Sequence, residues 1–229
     1  DLHFTIHSFP TRRSSDLVEA DVDAITHTPP APLPDSTLAA MQRQGTAWIP
    51  TLAVHTELSR WLQRPDQLTD DLLRAVVDSA LLAAYRDTSG LPEGIQSWVD
   101  RQTRHRQTRL AAVQKGADAG IPILAGTDAG NPGVVQGYSL HRELMRLTQA
   151  GLSTWNALAA ATTAPGRFLG VPFGLRAGDR ANLLILDASP IEDIRHTQQV
   201  DRVIYHGRVV DRSTLLDEVA SQGPTLPTR

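Results

Sequence analysis

The sequence contains no cysteine, and of its 22 basic residues only Lys115 is a lysine. The first absence excludes disulfides and thiolate metal sites, so any metal must be held by His, Asp, Glu or a modified lysine. The arginine bias reflects a G·C-rich coding sequence, not a function. Strong charge of one sign is also missing: a formal net charge of -3 creates no field that would gather nucleic acid or an anionic membrane, and neither is expected as a partner. No apolar run is long enough to span a bilayer, and no His-x-His pair occurs. What remains is an ordinary globular composition, with 229 residues that are 41% hydrophobic, enough to bury a substantial core.

From Val18 onward, short apolar runs alternate with helical patterns, the signature of βα units on a parallel sheet. "VDAITHT", ending at His27, is the first strand candidate. A helix follows from near Asp35, with Leu38 and Met41 on its inner face and Gly45 as its stop. "AWIPTLAV" reads as the second strand and "IPILAGTDAG" as the third. Between Leu58 and Gly120 the pattern is long, polar and helical. One helix starts at Thr69 and repeats Leu73, Val76, Val77, Ala80 and Leu81; after a break at "DTSGLPEG", another runs to about Lys115. Leu140, Leu144 and Leu147 mark an amphipathic helix closed by Gly151, and Ser153 caps a further one, "STWNALAAATTAPGRFLG". Beyond Gly170 the period changes to 2 in "ANLLILDA" and "VDRVIYHGRVVD", with His206-Gly207 as a hairpin turn. Residues 216–229 read as a disordered tail.

Two strand ends carry candidate chemistry. Asp128, in "GTDAGNPG", would stand at the carboxyl end of a buried parallel strand, where α/β enzymes put their working groups; an aspartate there equally suits capping the next turn. Gly126, Ala129 and Gly130 leave room for a ligand beside it. His27 ends its strand in the same way, so in a barrel both side chains would emerge on one face. His55, just past "WIPTLAV", reads as a third strand end, or as a solvated loop residue. Asn131, in the Asp128 loop, joins His55 as a candidate for contacting substrate. His141 reads as packing, and His105, His196 and His206 lie away from these strand ends.

"ILAGTDAGNPG", "YSLHRELMRLTQAGLSTWNALAAATTAPGRFLG" and "GLRAGDRANLLILDASPIEDI…VDRVIYHGRVV" together resemble the C-terminal half of the amidohydrolase superfamily, in its imidazolonepropionase-like and prolidase-like branch. The resemblance implies an α/β fold: the C-terminal part of a (β/α)8 barrel, about strands 6 to 8, over residues 18–170, and the last strands of a small β-sandwich over 171–215. It implies a divalent metal, zinc, as one or two ions. His27 in "AITHT" matches the metal-binding histidine of strand six. Asp128 in "GTDAG" matches the aspartate of strand eight, a metal ligand and the catalytic proton acceptor. The implied reaction is hydrolysis of an amide in a small, dipeptide-like substrate by metal-activated water.

Departures from that pattern matter equally. The His-x-His of strand one is absent, Lys115 falls on a helix, and Asn182 stands where the family commonly has aspartate. Only about three barrel strands are present, whereas a complete barrel needs roughly 250 residues. The chain therefore reads as a fragment that is inactive alone, with exposed edges that favour association of copies. Its opening, "DLHFTIHSFPTRRSSDL", gives a reason. Phe9 to Leu17 back-translate to TTC CCT ACA CGA CGC TCT TCC GAT CT(N), the end of a common sequencing adapter. Residues 1–17 are thus expected to be non-native, which removes His3 and His7 from the site despite their four-residue spacing. A noncatalytic small-molecule binding module is the rival reading, and an interaction scaffold built on Thr69–Lys115 another. In the hydrolase reading that helical region is a lid.

Overall fold

The computed structural model describes residues 6–8, 14–64, 68–86, 94–171, 174–215 and 217. Three strands, β1 (Ile6–Ser8), β2 (Ala24–Thr26) and β3 (Ala47–Ile49), form a parallel sheet in that order. Helix α1 (Ser14–Glu19) connects β1 to β2, and α2 (Asp35–Gln44) connects β2 to β3. Leu38 and Met41 are buried on α2, which Gly45 ends in the left-handed region at φ 75°. β1 falls within the segment expected to be non-native. Pairing at a sheet edge uses backbone groups that every sequence carries, so its presence says nothing of the segment's origin.

The second strand is shorter than the pattern suggests. It stops at Ile49 because Pro50 lacks an amide proton and Thr51 takes φ 49°, and Leu52 to Val54 already belong to α3 (Leu52–Gln63). The third is corrected further. Over "IPILAGTDAG" the sheet continues only as a parallel bridge between Trp48 and Ile123. The Trp48 amide donates to the Pro122 carbonyl at 2.8 Å and the Leu124 amide to the Trp48 carbonyl at 2.9 Å; the Ala125 amide then turns away to the Ala160 carbonyl at 2.8 Å. Among the described residues there is no closed barrel; the parallel sheet is an open arc.

The helical region is also more divided than its periodicity suggests. Asp70 caps α4 (Asp71–Val76), accepting from the Leu73 amide, but extended Val77 breaks the pattern before α5 (Ser79–Arg86). The new phase buries Leu82 and leaves Leu81 exposed. Most of the expected break at "DTSGLPEG" lies outside the described residues. α6 (Ile95–Asp118) follows, then α7 (Tyr138–Gln149), whose Leu144 and Leu147 are buried while Leu140 faces outward. Ser153 caps α8 (Thr154–Ala161) by accepting from the Asn156 amide. The expected single helix splits at Thr162, and α9 (Thr163–Phe168) completes it.

β4 (Leu183–Leu186), β5 (Val200–Tyr205) and β6 (Arg208–Val210) form a separate antiparallel sheet. His206 and Gly207 both have positive φ, as a tight hairpin turn requires. Asn182 accepts from the His206 amide at 2.8 Å, so the departure from aspartate falls at a turn support.

The main core gathers Ile25, Trp48, Met41, Val113 and Leu147 between sheet and helices. Gly116 lets α6 lie on Trp48: a Cβ there would stand 2.7 Å from the indole ring. A second cluster of Trp61, Leu68, Leu73, Leu82 and Tyr138 gives the helical region a core of its own. The two cores hold the strand ends and the helices above them in fixed register.

Candidate active-site cleft

His27, just past β2, and Asp128, in the loop beyond the Ile123 bridge on the other side of β3, approach each other, with His27 Nε2 3.9 Å from Asp128 Oδ2. His27 Nδ1 is 2.7 Å from the Thr51 hydroxyl. The backbone of the three is unusual: φ is 68° at His27, 49° at Thr51 and 57° at Asp128. Each is a non-glycine residue in the left-handed region, a strain of order 1–3 kcal/mol, and β-branched Thr51 is the most costly of them. Other contacts hold the strain in place. The His27 amide donates to the Ile49 carbonyl at 2.8 Å, and the Trp48 indole donates to the His27 carbonyl at 2.7 Å. Thr28 reaches the Pro50 carbonyl at 2.9 Å.

His27, His55, Asp128 and Asn131 all line one open cleft of about 650 Å³, with Arg109 in its wall. His55 arrives from α3, not from a strand end, which corrects the sequence expectation. Its ring meets that of His27 edge-on at 6.4 Å. Burial, with the charges of Arg109 and His27 beside it, pushes the imidazole down to about 3, so His55 is neutral at physiological pH. The Asn131 side chain donates to the Asp128 carbonyl at 2.9 Å; it shapes the Asp128 loop as well as facing the cleft.

Of the small residues around Asp128, Gly126 serves packing and not ligand access. A Cβ on it would stand 2.5 Å from the Ile49 side chain. Lys115 lies apart, bonded to Asp35 at 2.5 Å and to the Leu33 carbonyl. His141 packs against the Thr197 hydroxyl and His196 against the Ser189 carbonyl. The backbone of His7 lies in β1, and His3 falls outside the described residues.

The His27–Asp128 pair meets two requirements of a metal site. Two donors ~2.1 Å from zinc in tetrahedral geometry stand ~3.4 Å apart, so a separation of 3.9 Å needs only a small side-chain adjustment. The ring nitrogen that would not bind metal already has an oxygen partner in Thr51, as metal-binding histidines generally do. Among the described residues, however, no group of three or more His, Asp or Glu side chains is placed to hold a metal. The pair offers two donor atoms, short of a complete site among the described residues.

Sequence reasoning missed Thr51, Arg109 and Glu143. Thr51 follows Pro50 directly after a strand, a signal that could have marked it. Arg109 is buried on α6; its Nε donates to the Thr28 carbonyl at 3.2 Å and its Nη1 has no partner. Glu143, fully buried on α7, accepts from the Leu52 and Ala53 amides at 3.0 and 2.6 Å. It therefore caps α3 across the helix interface, just beyond Thr51. No local pattern signals that contact, since the partners lie 90 and 91 residues apart.

Comparison with known proteins identifies the family. The model described as "Amidohydrolase family" matches residues 64–210. An uncharacterized protein of Mycobacterium tuberculosis strain H37Rv is 30% identical over 209 residues, covering 89% of this chain and 46% of that protein. A Mycobacterium bovis protein matches to the same extent. The chain thus spans about half the length of the curated relatives it matches. Among solved structures, a bottromycin amidohydrolase is 25% identical with a TM-score of 0.61, covering 95% of this chain and 52% of that one. A Xaa-Pro dipeptidase with methionine bound in its active site is 21% identical with a TM-score of 0.60, covering 86% and 42%. A prolidase complexed with N-methylphosphonate-L-proline gives 19% and 0.64, covering 90% and 45%.

Proposed function

The chain belongs to the amidohydrolase family, and from that premise we propose that the protein, at the length of its relatives, hydrolyses an amide bond in a dipeptide-like or cyclic amide substrate. The observation that carries the proposal is the convergence of His27 and Asp128 at 3.9 Å, each on left-handed backbone. The dipeptidase and prolidase neighbours favour the dipeptide-like substrate class.

A divalent metal, zinc in this proposal, would supply Lewis acidity, lowering the pKa of water from ~15.7 toward ~7 and polarising a carbonyl. His27 would hold it through Nε2 and Asp128 through Oδ2. Thr51 keeps the His27 ring in position from the Nδ1 side. Asp128, exposed to the cleft, accepts the proton released as water attacks and passes it to the leaving nitrogen. Neutral His55 and Asn131 contact the substrate from the cleft wall. Arg109, with Nη1 unpartnered, suits a substrate carboxylate.

Residues 18–170 belong in this proposal to the barrel and 171–215 to the small β domain. Two ligands among the described residues do not complete a metal site, so in this proposal the chain alone is inactive. Incubating it with zinc and a panel of dipeptides tests that directly. No turnover above buffer is expected, and hydrolysis that depends on Asp128 in this chain alone would overturn the incomplete-site reading. An extended protein that carries all metal ligands and still turns nothing over would favour the noncatalytic binding module.

A further inference from the structure

The loop that carries Asp128 folds back on itself before α7. The Asn131 side chain donates to the Asp128 carbonyl at 2.9 Å, the Val134 amide to the Asn131 carbonyl at 2.9 Å, and the Gly130 amide to the Val134 carbonyl at 3.3 Å. Its far end meets two helices. At α3, Gly133, with φ 80°, lies so close that a Cβ on it would stand 2.7 Å from the Leu58 amide nitrogen. At α5, the Gly133 amide donates to the Tyr85 hydroxyl at 3.0 Å. A buried amide without an acceptor is costly, and most find theirs in the backbone or in water. Gly133 is buried, and its acceptor is a side chain 48 residues away.

The Tyr85 ring is itself held. It packs on the second core and meets Trp61 edge-on, with centroids 4.8 Å apart and planes at 85°. Val135 joins the same core, and its amide donates to the Ser139 hydroxyl at 2.8 Å. Helix α3 connects this end of the loop to the other member of the pair: its N-cap, Thr51, meets His27, and Leu58 lies about two turns further along. No described residue of α4 or α5 lines the cleft, so α5 bears on the site through the loop and not as a wall.

We propose that Tyr85 is a positioning residue for Asp128: its hydroxyl holds the 128–134 loop against α3 and thereby sets the separation of Asp128 from His27. The proposal rests on the catalytic reading of Asp128. It makes α5 a support for the site and not a cover that must open. The phenol touches neither substrate nor the reacting atoms; it acts through the Gly133 amide.

Tyr85→Phe keeps the ring and removes the hydroxyl. In this chain, amide hydrogen exchange at Gly133 and Val134 should quicken about tenfold, as expected for the loss of one hydrogen bond, and the NMR resonance of the Asp128 carboxyl carbon should move. Tyr205→Phe, on β5, should change neither. In the protein extended to the length of its relatives, Tyr85→Phe should lower kcat about tenfold and leave KM within about twofold, since misplacement of a reacting group is felt in the chemical step. Leu72→Ala thins the same core and leaves the hydrogen bond in place, so it should lower the urea midpoint without changing kcat. If Tyr85→Phe lowers the midpoint as far, kcat of the two variants at equal folded fraction decides. A deficit confined to Tyr85→Phe supports positioning, and an equal deficit overturns it.

Asp128→Asn separates this inference from the reading on which it rests. Should Asp128→Asn keep its turnover, the catalytic reading fails, and the exchange and carboxyl measurements decide whether Tyr85 positions the loop. Should Asp128→Asn lose turnover while Tyr85→Phe matches the parent in kcat, the inference is overturned, as it is if the loop amides and the Asp128 resonance stay unchanged.

Discussion

The strand-end cleft and the α3–α7 interface are both built from ionisable side chains, yet they differ in how those groups are held. At the interface, Glu57 is fully buried and shared among three arginines, and Glu143 accepts two backbone amides. In the cleft, His27 and Asp128 are half-open, face each other across 3.9 Å, and sit on strained backbone. The saturated carboxylates of the interface are part of the framework. The strained pair in the open cleft is the proposed place of chemistry. Charge density alone would have ranked the interface first, and it is the local strain that separates the two regions.

Substitution should break the two regions in different ways. The largest effect is expected at Glu57→Ala, which leaves three guanidiniums without their counter-charge and should cost about 3–5 kcal/mol in urea unfolding. Glu143→Gln places an amide NH₂ where only acceptors fit and should cost ~1–3 kcal/mol by the same measurement.

The pH dependence sharpens the contrast. His55 has a folded pKa of about 3, below its ordinary 6.5. The stability it contributes is therefore full above pH 6.5 and is lost as pH falls toward 3, by at most ~1.4 kcal/mol per unit. Glu143 runs the other way. Burial raises it to about 8 from 4.5, so its contribution is full below pH 4.5 and is lost as pH rises through 8. Urea midpoints measured from pH 4 to 9 should lose their alkaline decline in Glu143→Gln and keep their acid decline.

Smallest in stability are the cleft variants. Thr51→Gly removes the left-handed strain and should leave stability unchanged or raise it by up to ~1 kcal/mol, while freeing His27 from its hydroxyl partner. His27→Ala should stay within about 1 kcal/mol of the parent, since the ring is partly exposed and bonded through one side chain. A cleft variant that unfolds the protein as Glu57→Ala does would erase the distinction between the two regions.

Local signals in the sequence were enough for some features. Apolar alternation gave β2, β4 and β5, the caps at Gly45 and Ser153 marked helix ends, and motif order brought His27 and Asp128 to one site. What local pattern could not show were the places where one residue interrupts a period. Pro50 and Thr51 ended β3 early and moved His55 onto a helix. Val77 and Thr162 each split a helix that periodicity ran through. The interface was illegible for another reason: the capping of α3 by Glu143 is a tertiary contact that follows only once the helices are packed.

Asp128 is proposed to perform chemistry while Glu57 maintains structure, and one paired measurement tests this division. In the protein extended to the length of its relatives, kcat/KM for dipeptide hydrolysis and the urea midpoint are measured for Asp128→Asn and Glu57→Gln. Asp128→Asn is expected to lose at least ~100-fold in kcat/KM, the low end for general acid–base catalysis, with an unchanged midpoint. Glu57→Gln is expected to lower the midpoint first. Turnover by Asp128→Asn close to that of the parent, or a loss that merely tracks its unfolding, would contradict the claim.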